Sequence, residues 1–164
     1  GLNPRAAYEL DSESFVDLIV RGMEEIVPKY AVEYLEKGLK LYHGDYLTDL
    51  RFIPWTNQER DRLRQLYLRG AERLAQHAVR LQDVNLAMEW CERILSVDQT
   101  WEEAYRLLMY CYYQNNNRPQ AIRLYEKCSQ VLKSALGVEP MEQTKEMYKI
   151  IMEAEEPDIF QNLN

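Results

Sequence analysis

The sequence predicts an all-α protein, a stack of antiparallel helical hairpins with about seven helices. Apolar residues recur at three- and four-residue spacing along most of the chain, and helix start and stop signals divide this pattern into segments. Part of the pattern also repeats at a fixed period. The chain has 164 residues, of which 46% are hydrophobic and 29% are charged. This composition supports one packed domain and excludes disorder over most of the length.

The first two helices form a predicted hairpin. Ser12 is a capping candidate for a first helix that ends at about Val27. Pro28 suits the first position of a second helix, which Gly44 ends. The stretch 42–55 has no sustained helical period but is rich in apolar and aromatic residues, so we expect a loop that packs down on the helices.

Capping signals delimit the next three helices. The segments 56–59 and 100–103 both have the capping-box pattern, in which a Thr hydroxyl and a Glu carboxylate each satisfy a free backbone N–H. Asp83 lies between them and is a capping candidate for the helix in the middle. These signals predict a long third helix and two shorter ones, with ends at about residues 81, 97 and 114.

The last two helices are bounded by similar signals. Pro119 marks the start of a sixth helix, which stops at Gly137. A seventh helix carries the apolar positions between Thr144 and Ile151. We expect the acidic tail over residues 154–164 to be frayed.

Internal repetition predicts how the helices pair. The separation between Ala87 and Ala121 equals the period of tetratricopeptide repeats, and the neighbouring small and apolar positions share this register. Each repeat of this type is a helical hairpin that buries one face against the next hairpin. The first hairpin of the chain, with Ala31 at the head of its second helix, fits as a third, degenerate repeat. The predicted fold is therefore a tetratricopeptide-like, right-handed stack.

Two separated motifs resemble the bacterial transcriptional activator domain. The first motif lies between Leu39 and Leu63 and contains the run Leu-Lys-Leu-Tyr-His-Gly-Asp-Tyr-Leu. The second lies between Glu103 and Tyr148 and contains Leu-Gly-Val-Glu-Pro. Both motifs occur in the order of that family, and the resemblance covers about residues 8–152.

The resemblance implies a regulatory role in the cytoplasm. In regulators of the antibiotic-regulatory (SARP) type, this helical module follows a winged-helix DNA-binding domain. The chain is then expected to support activation through protein contacts: with RNA polymerase, with its own DNA-binding or signalling domain, and with a second copy of itself. Promoter DNA is contacted through the upstream domain and not through this chain, and no membrane is involved.

The same resemblance suggests a division of the chain. Residues 7–11 are similar to the last strand of the wing in the DNA-binding domain. We therefore expect residues 1–11 to be the end of that wing and its linker, residues 12–153 to be the activator domain, and residues 154–164 to be the tail. The alternative is a free-standing tetratricopeptide-type adaptor that has no role in DNA binding.

Arginines of the third helix are the first candidates for a binding surface. Arg62, Arg69, Arg73 and Arg80 differ by 7, 11 and 18 positions, which at ~100° per residue brings them within about 40° of one another. One interpretation is a solvated flank whose aliphatic stems cover the edge of the core. The other is a surface that binds a partner.

The repeat register favours a groove. It places side chains of the third and fifth helices on the concave side that helical stacks use for partners. A groove of Arg and Tyr suits an acidic, partly apolar peptide, because guanidinium groups match carboxylates and Tyr adds contact area at low entropy cost. The candidate partner-binding residues are Arg62, Arg69, Arg73, Gln76, Arg80, Arg106, Tyr110 and Tyr113.

Other classes of function have little support in the sequence. The net charge of −7 argues against broad nucleic-acid binding, and no apolar run approaches the ~20 residues of a membrane span. The histidines, His43 and His77, lie outside any HExxH motif, and no glycine-rich phosphate loop is present. The three cysteines include no CxxC pair, so we expect them to be buried and reduced. The chain is predicted to be no enzyme and to hold no cofactor or metal.

Overall fold

The computed structural model describes residues 4–42 and 57–154, with side chains from residue 12 onward. All regular secondary structure in these two ranges is helical. The helices in chain order are α1 (Pro4–Glu24), α2 (Pro28–Leu41), α3 (Asn57–Arg80), α4 (Val84–Val97), α5 (Glu102–Gln114), α6 (Arg118–Leu136) and α7 (Glu142–Glu153). The predicted loop at 43–55 and the capping residue Thr56 lie outside the described residues, as does the tail beyond Ala154.

The chain divides into two compact units. The first unit comprises residues 1–98 and contains α1 to α4; the second comprises residues 99–164 and contains α5 to α7. In the first unit α1 packs on α2, both contact α3, and α3 packs on α4. In the second unit α5 packs on α6, and α7 contacts both of them. Each unit is thus assembled from helical hairpins.

The core of the first unit is centred on Ile19, whose side chain is fully buried. Gly38 of α2 and Gly70 of α3 make room for this side chain. A Cβ atom added at Gly38 would lie 2.9 Å from Ile19 Cδ1, and one added at Gly70 would lie 3.1 Å from the same atom. Nearby, Tyr42 stacks on Tyr67 with ring centroids 4.3 Å apart. The small residues let three helices converge on one branched side chain.

The repeat register is visible in the burial of the side chains. Ala87 and Ala121 are both fully buried. Of the small and apolar positions of the second repeat, Tyr112 and Tyr125 are half-buried instead of buried. Tyr125 stacks on Tyr148 of α7, with ring centroids 4.0 Å apart and planes 12° apart. In the α3–α4 hairpin the corresponding positions are all buried: Ala71, Leu74, Ala75, Ala78, Ala87, Cys91 and Ile94.

The N-terminal boundary of the first helix differs from the prediction. Helix α1 begins at Pro4 and continues through Ser12, so Ser12 is not its N-cap. Residues 7–11, which resemble a strand of the wing in sequence, are helical in this chain. Local propensity explains the difference: Pro4 has a φ angle suited to the first helical turn, and the Ala, Glu and Leu residues that follow are good helix formers.

The capping predictions have mixed outcomes. Asp83 caps α4 as predicted, since its side chain accepts a hydrogen bond from Leu86 N at 3.1 Å. The helix predicted from the box at 100–103 begins one residue later than expected, because its N-cap position is Trp101 and not Thr100. Glu103 also accepts a hydrogen bond from Arg106 of the same helix.

Gly137 ends α6 as predicted, in the left-handed conformation with φ +66°. Its backbone N–H donates to Lys133 O at 3.0 Å.

A Gly137→Ala variant measures the energetic cost of placing a residue with a Cβ atom in the left-handed conformation. The added Cβ would meet no atom within 4 Å, so no steric clash contributes to this cost. We expect it to lower the free energy of unfolding by about 1 kcal/mol, measured by urea denaturation. Gly137→Asn should cost less, since Asn tolerates this conformation; equal stability of all three proteins would contradict the assignment.

Candidate functional site

The first set of predicted binding residues lies on α3, and we call it the α3 surface: Arg62, Arg69, Arg73, Gln76 and Arg80. Helix α3 is 24 residues long and buries its opposite, apolar side in the first unit. The side chains of Arg62, Arg69 and Arg80 are exposed, and those of Arg73 and Gln76 are half-buried. The structure therefore places this half of the predicted site at the surface of one helix.

Members of the α3 surface differ in how they are bonded. Arg62 Nη2 donates to Glu59 Oε1 at 3.1 Å, and Gln76 Nε2 donates to Glu72 Oε1 at 3.4 Å. Within the two described ranges, Arg69, Arg73 and Arg80 make no hydrogen bond or salt bridge. Three guanidinium groups on this surface consequently keep their donors available for a partner.

His77 lies beside these arginines on α3 but is buried, with 2% of its surface exposed. Neither ring nitrogen has a hydrogen-bond partner within the described part of the chain. Burial lowers the pKa of His77 below its ordinary value, and the positive charges of Arg80 and Arg73 lower it further. The imidazole is therefore neutral at pH 7. Its burial follows from the repeat register, because Cys111, which occupies the same position one repeat further along, is also fully buried.

The second set lies on α5 in the second unit and consists of Arg106, Tyr110 and Tyr113; we call it the α5 surface. All three side chains are half-buried. The guanidinium of Arg106 is bonded to Glu103 through Nε, at 2.6 Å from Glu103 Oε2, and through Nη2. Arg106 thus has less capacity for a partner than the unpaired arginines of α3.

The role of Glu102 could not be found from sequence spacing. Both of its carboxylate oxygens accept from the backbone N–H of Met141, at 3.0 and 3.1 Å. Glu102 Oε2 also accepts from the hydroxyl of Thr144 at 2.9 Å. These bonds hold the N-terminus of α7 against α5, so Glu102 organises the second unit. Its partners are far away in the sequence, beyond the reach of any local pattern.

The described residues include all three cysteines and other side chains of the types that bind metals. No group of three or more His, Cys, Asp or Glu side chains among them is arranged to hold a metal ion. All three cysteines are buried and free, as predicted. Burial raises the pKa of Cys111 to about 11 and is the main cause that raises the pKa of Cys128 to about 12. Such thiols are protonated at neutral pH and unreactive as nucleophiles.

Of the described helices, none combines the length and the apolar character that crossing a membrane requires.

Comparison with solved structures supports the fold. EmbR from Mycobacterium tuberculosis, solved in complex with a low-affinity phosphopeptide, matches with a TM-score of 0.77 and 17% sequence identity. The match covers 93% of this chain and 41% of the EmbR chain, so this chain spans about two fifths of that protein. The likeness confirms the predicted all-α, tetratricopeptide-like class. A search of curated proteins found no match.

The family model of the bacterial transcriptional activator domain matches residues 10–152 of this chain. The match includes both motifs on which the resemblance was recognised and leaves out only the ends of the chain. Residues 10–152 also contain every member of the α3 and α5 surfaces. The chain belongs to the bacterial transcriptional activator domain family.

Proposed function

We propose that this chain is a cytoplasmic protein-interaction and assembly module, and that it follows a winged-helix DNA-binding domain in a transcriptional activator. In this proposal promoter DNA is bound by the upstream domain. The chain itself supports activation by contacting RNA polymerase, other domains of its own protein or a second copy, and it catalyses no reaction. Its membership of the activator family and the phosphopeptide complex of EmbR support a role in binding protein partners.

The observation that carries the proposal is the availability of Arg69, Arg73 and Arg80. In a helix that only covers the edge of the core, ion pairs between its arginines and neighbouring carboxylates increase stability by a few tenths of a kcal/mol per pair. The α3 surface leaves these three charges without such pairs in the described part of the chain. Arginine is also enriched at energetically important positions of protein interfaces, because its planar donors match carboxylates. In the second unit, the α5 surface carries Tyr110 and Tyr113, which can supply apolar contact with one hydroxyl each.

Charge reversal on the α3 surface tests the proposal. In the parent regulator, we expect Arg69→Glu with Arg80→Glu to reduce promoter-driven reporter expression by about tenfold, because the reversed charges repel an acidic partner. Binding to promoter DNA, measured by fluorescence anisotropy, should stay within about twofold of the wild-type value, since the upstream domain reads the DNA.

The matched control is Arg123→Glu with Lys127→Glu. Both side chains are exposed on α6 and lie outside the two candidate surfaces, and the change in net charge is the same. Reporter expression should be unaffected by this control. Wild-type expression from the Arg69/Arg80 variant would refute the role of the α3 surface. Equal loss of expression and of DNA binding would refute the assignment of DNA binding to the upstream domain.

A further inference from the structure

The three unpaired arginines form a row along α3, and we call Arg69, Arg73 and Arg80 the arginine row. At a rise of about 1.5 Å per residue, their positions are separated along the helix axis by about 6 Å and about 10.5 Å. Their directions around the axis agree within about 40°. The three residues therefore lie on one side of α3 over a length of about 16 Å.

The row is unpaired although acidic residues lie within reach along the chain. Glu72 is three positions after Arg69 on the same helix, which is a spacing at which helical ion pairs form. Asp83 follows Arg80 closely in sequence, beyond the end of α3. Instead, Glu72 accepts a hydrogen bond from Gln76, and Asp83 accepts one from Leu86 N at the start of α4. Both carboxylates are thus engaged by other donors, and the described residues leave the row without compensation.

The charges of the row also act on one another. Arg69 and Arg73 are four positions apart, a spacing at which like charges destabilise a helix. His77, buried between Arg73 and Arg80 along the helix, has its pKa lowered by burial and, in addition, by both of them. A partner that brings negative charge to the row relieves this repulsion as well as forming new ion pairs.

We propose that the arginine row binds an acidic α-helical segment of a partner protein, with carboxylates at positions i, i+4 and i+11. This inference rests on the proposed function and names the class of partner for the α3 surface. Two helices that lie side by side and run parallel have the same rise per residue, so carboxylates with this spacing face all three arginines. Each guanidinium can form a bidentate pair with a carboxylate.

Net charge decides between a protein segment and DNA. The chain carries −7 overall, so a DNA duplex on α3 would meet net repulsion from the chain as a whole and gain little from three arginines. A short acidic helix contacts the row and avoids the rest of the surface. The charge balance therefore favours the protein partner.

The test uses the whole chain and two labelled synthetic peptides of equal composition. One is an Ala- and Gln-based helix with Glu at i, i+4 and i+11; the other has the three Glu residues placed on different faces. By fluorescence anisotropy at low salt, we expect the first peptide to bind about tenfold more tightly than the second. Arg69→Glu with Arg80→Glu should weaken its binding about tenfold, and the Arg123/Lys127 control should bind like the wild type.

His77 supplies a local reporter for the same titration. The ring signals of His77, assigned by their loss in a His77→Gln variant, should shift when the first peptide binds, because carboxylates at Arg73 and Arg80 change the electrostatic field at the imidazole. The same addition should leave these signals unmoved in the Arg69→Glu, Arg80→Glu variant. Signals that stay in place while the wild-type chain binds the peptide would overturn the location of the site.

Three further results would overturn the inference: equal affinity for the two peptides, binding that survives the double reversal, or tighter binding of a 20-base-pair DNA duplex at the same ionic strength. The proposed function is judged separately. Loss of reporter activation by the double reversal, with no peptide binding, refutes the acidic helix and leaves the proposed function in place. Peptide binding as expected, with unchanged activation by the reversed protein, supports the inference and refutes the role of the α3 surface in activation.

Discussion

Replacing Ile19 with alanine should lower the free energy of unfolding by about 3 kcal/mol. The side chain is fully buried where α1, α2 and α3 converge. The substitution loses the favourable free energy of transferring the removed methyl and methylene groups out of water. It also leaves a cavity, because rigid helix backbones do not collapse into the space. Urea denaturation followed by far-UV circular dichroism measures the change, and a loss below about 1 kcal/mol would contradict this packing.

A second substitution makes the same prediction sharper. In the wild-type background Gly70→Ala should destabilise the protein, because the new Cβ would lie 3.1 Å from Ile19 Cδ1 and 3.2 Å from Ile19 Cγ2. The Ile19 side chain cannot withdraw freely, since its Cδ1 atom is also close to Gly38. Overpacking of this kind costs about 1 kcal/mol or more.

In the Ile19→Ala background the sign of the Gly70→Ala effect should reverse. Both crowding atoms are then absent, and the remaining neighbour, Leu39 Cδ2 at 3.5 Å, is at ordinary contact distance. The added methyl group fills part of the cavity, and alanine is favoured over glycine in a helix by about 1 kcal/mol. A four-protein cycle measures this coupling. Additive effects of the two substitutions would show that they do not share one space.

The second large effect is expected at Glu102, where alanine should destabilise the second unit by about 2–3 kcal/mol. The substitution leaves the hydroxyl of the fully buried Thr144 without its acceptor. It also removes the carboxylate that accepts from Met141 N at the start of α7, whose N-cap residue makes no side-chain hydrogen bond of its own. Amide hydrogen exchange should accelerate in α7, and the denaturation midpoint should fall.

Glu142 provides the matched control for Glu102. It is an acidic residue in the first turn of α7, its side chain is 90% exposed, and its salt bridge to Lys145 is 3.7 Å long. Glu142→Ala should change the stability by less than about 0.5 kcal/mol. Similar effects of the two substitutions would mean that the bonds of Glu102 to α7 add nothing beyond a general charge effect at the helix terminus.

Most helix boundaries were predictable because their signals are local. Pro28, Asp83 and Gly137 each act on backbone groups within about four positions, so the ends that they mark agree with the structure. The start of α1 was missed because similarity to a strand of another domain outweighed the local helix propensity of residues 4–11. The start predicted at Thr100 differs by one residue, because the N-cap position of α5 is Trp101.

The helices that carry the candidate residues were predictable, but the hydrogen bonds of these residues were not. Helical periodicity and repeat register were enough to group the α3 surface on one side of a helix, and the α5 surface on another. Helical spacing also offered Arg69 an acidic neighbour, Glu72, and Asp83 follows Arg80 just beyond the end of α3. In the structure these carboxylates accept from Gln76 and from Leu86 N, and the arginine row keeps its donors.

The sequence by itself determined the helical class, the tetratricopeptide period and the family, because periodicity, capping and motifs depend on residue type and spacing alone. Only the tertiary structure decided which polar groups are hydrogen-bonded within the fold. Arg64 donates to Val97 O at 2.8 Å, and Glu102 reaches Thr144, in both cases between residues far apart in the sequence. Hydrogen bonds and ion pairs form only at short distances, and a donor that is bonded within the fold is not available to a partner. Which donors remain available therefore depends on how packing brings together residues that are far apart in the sequence.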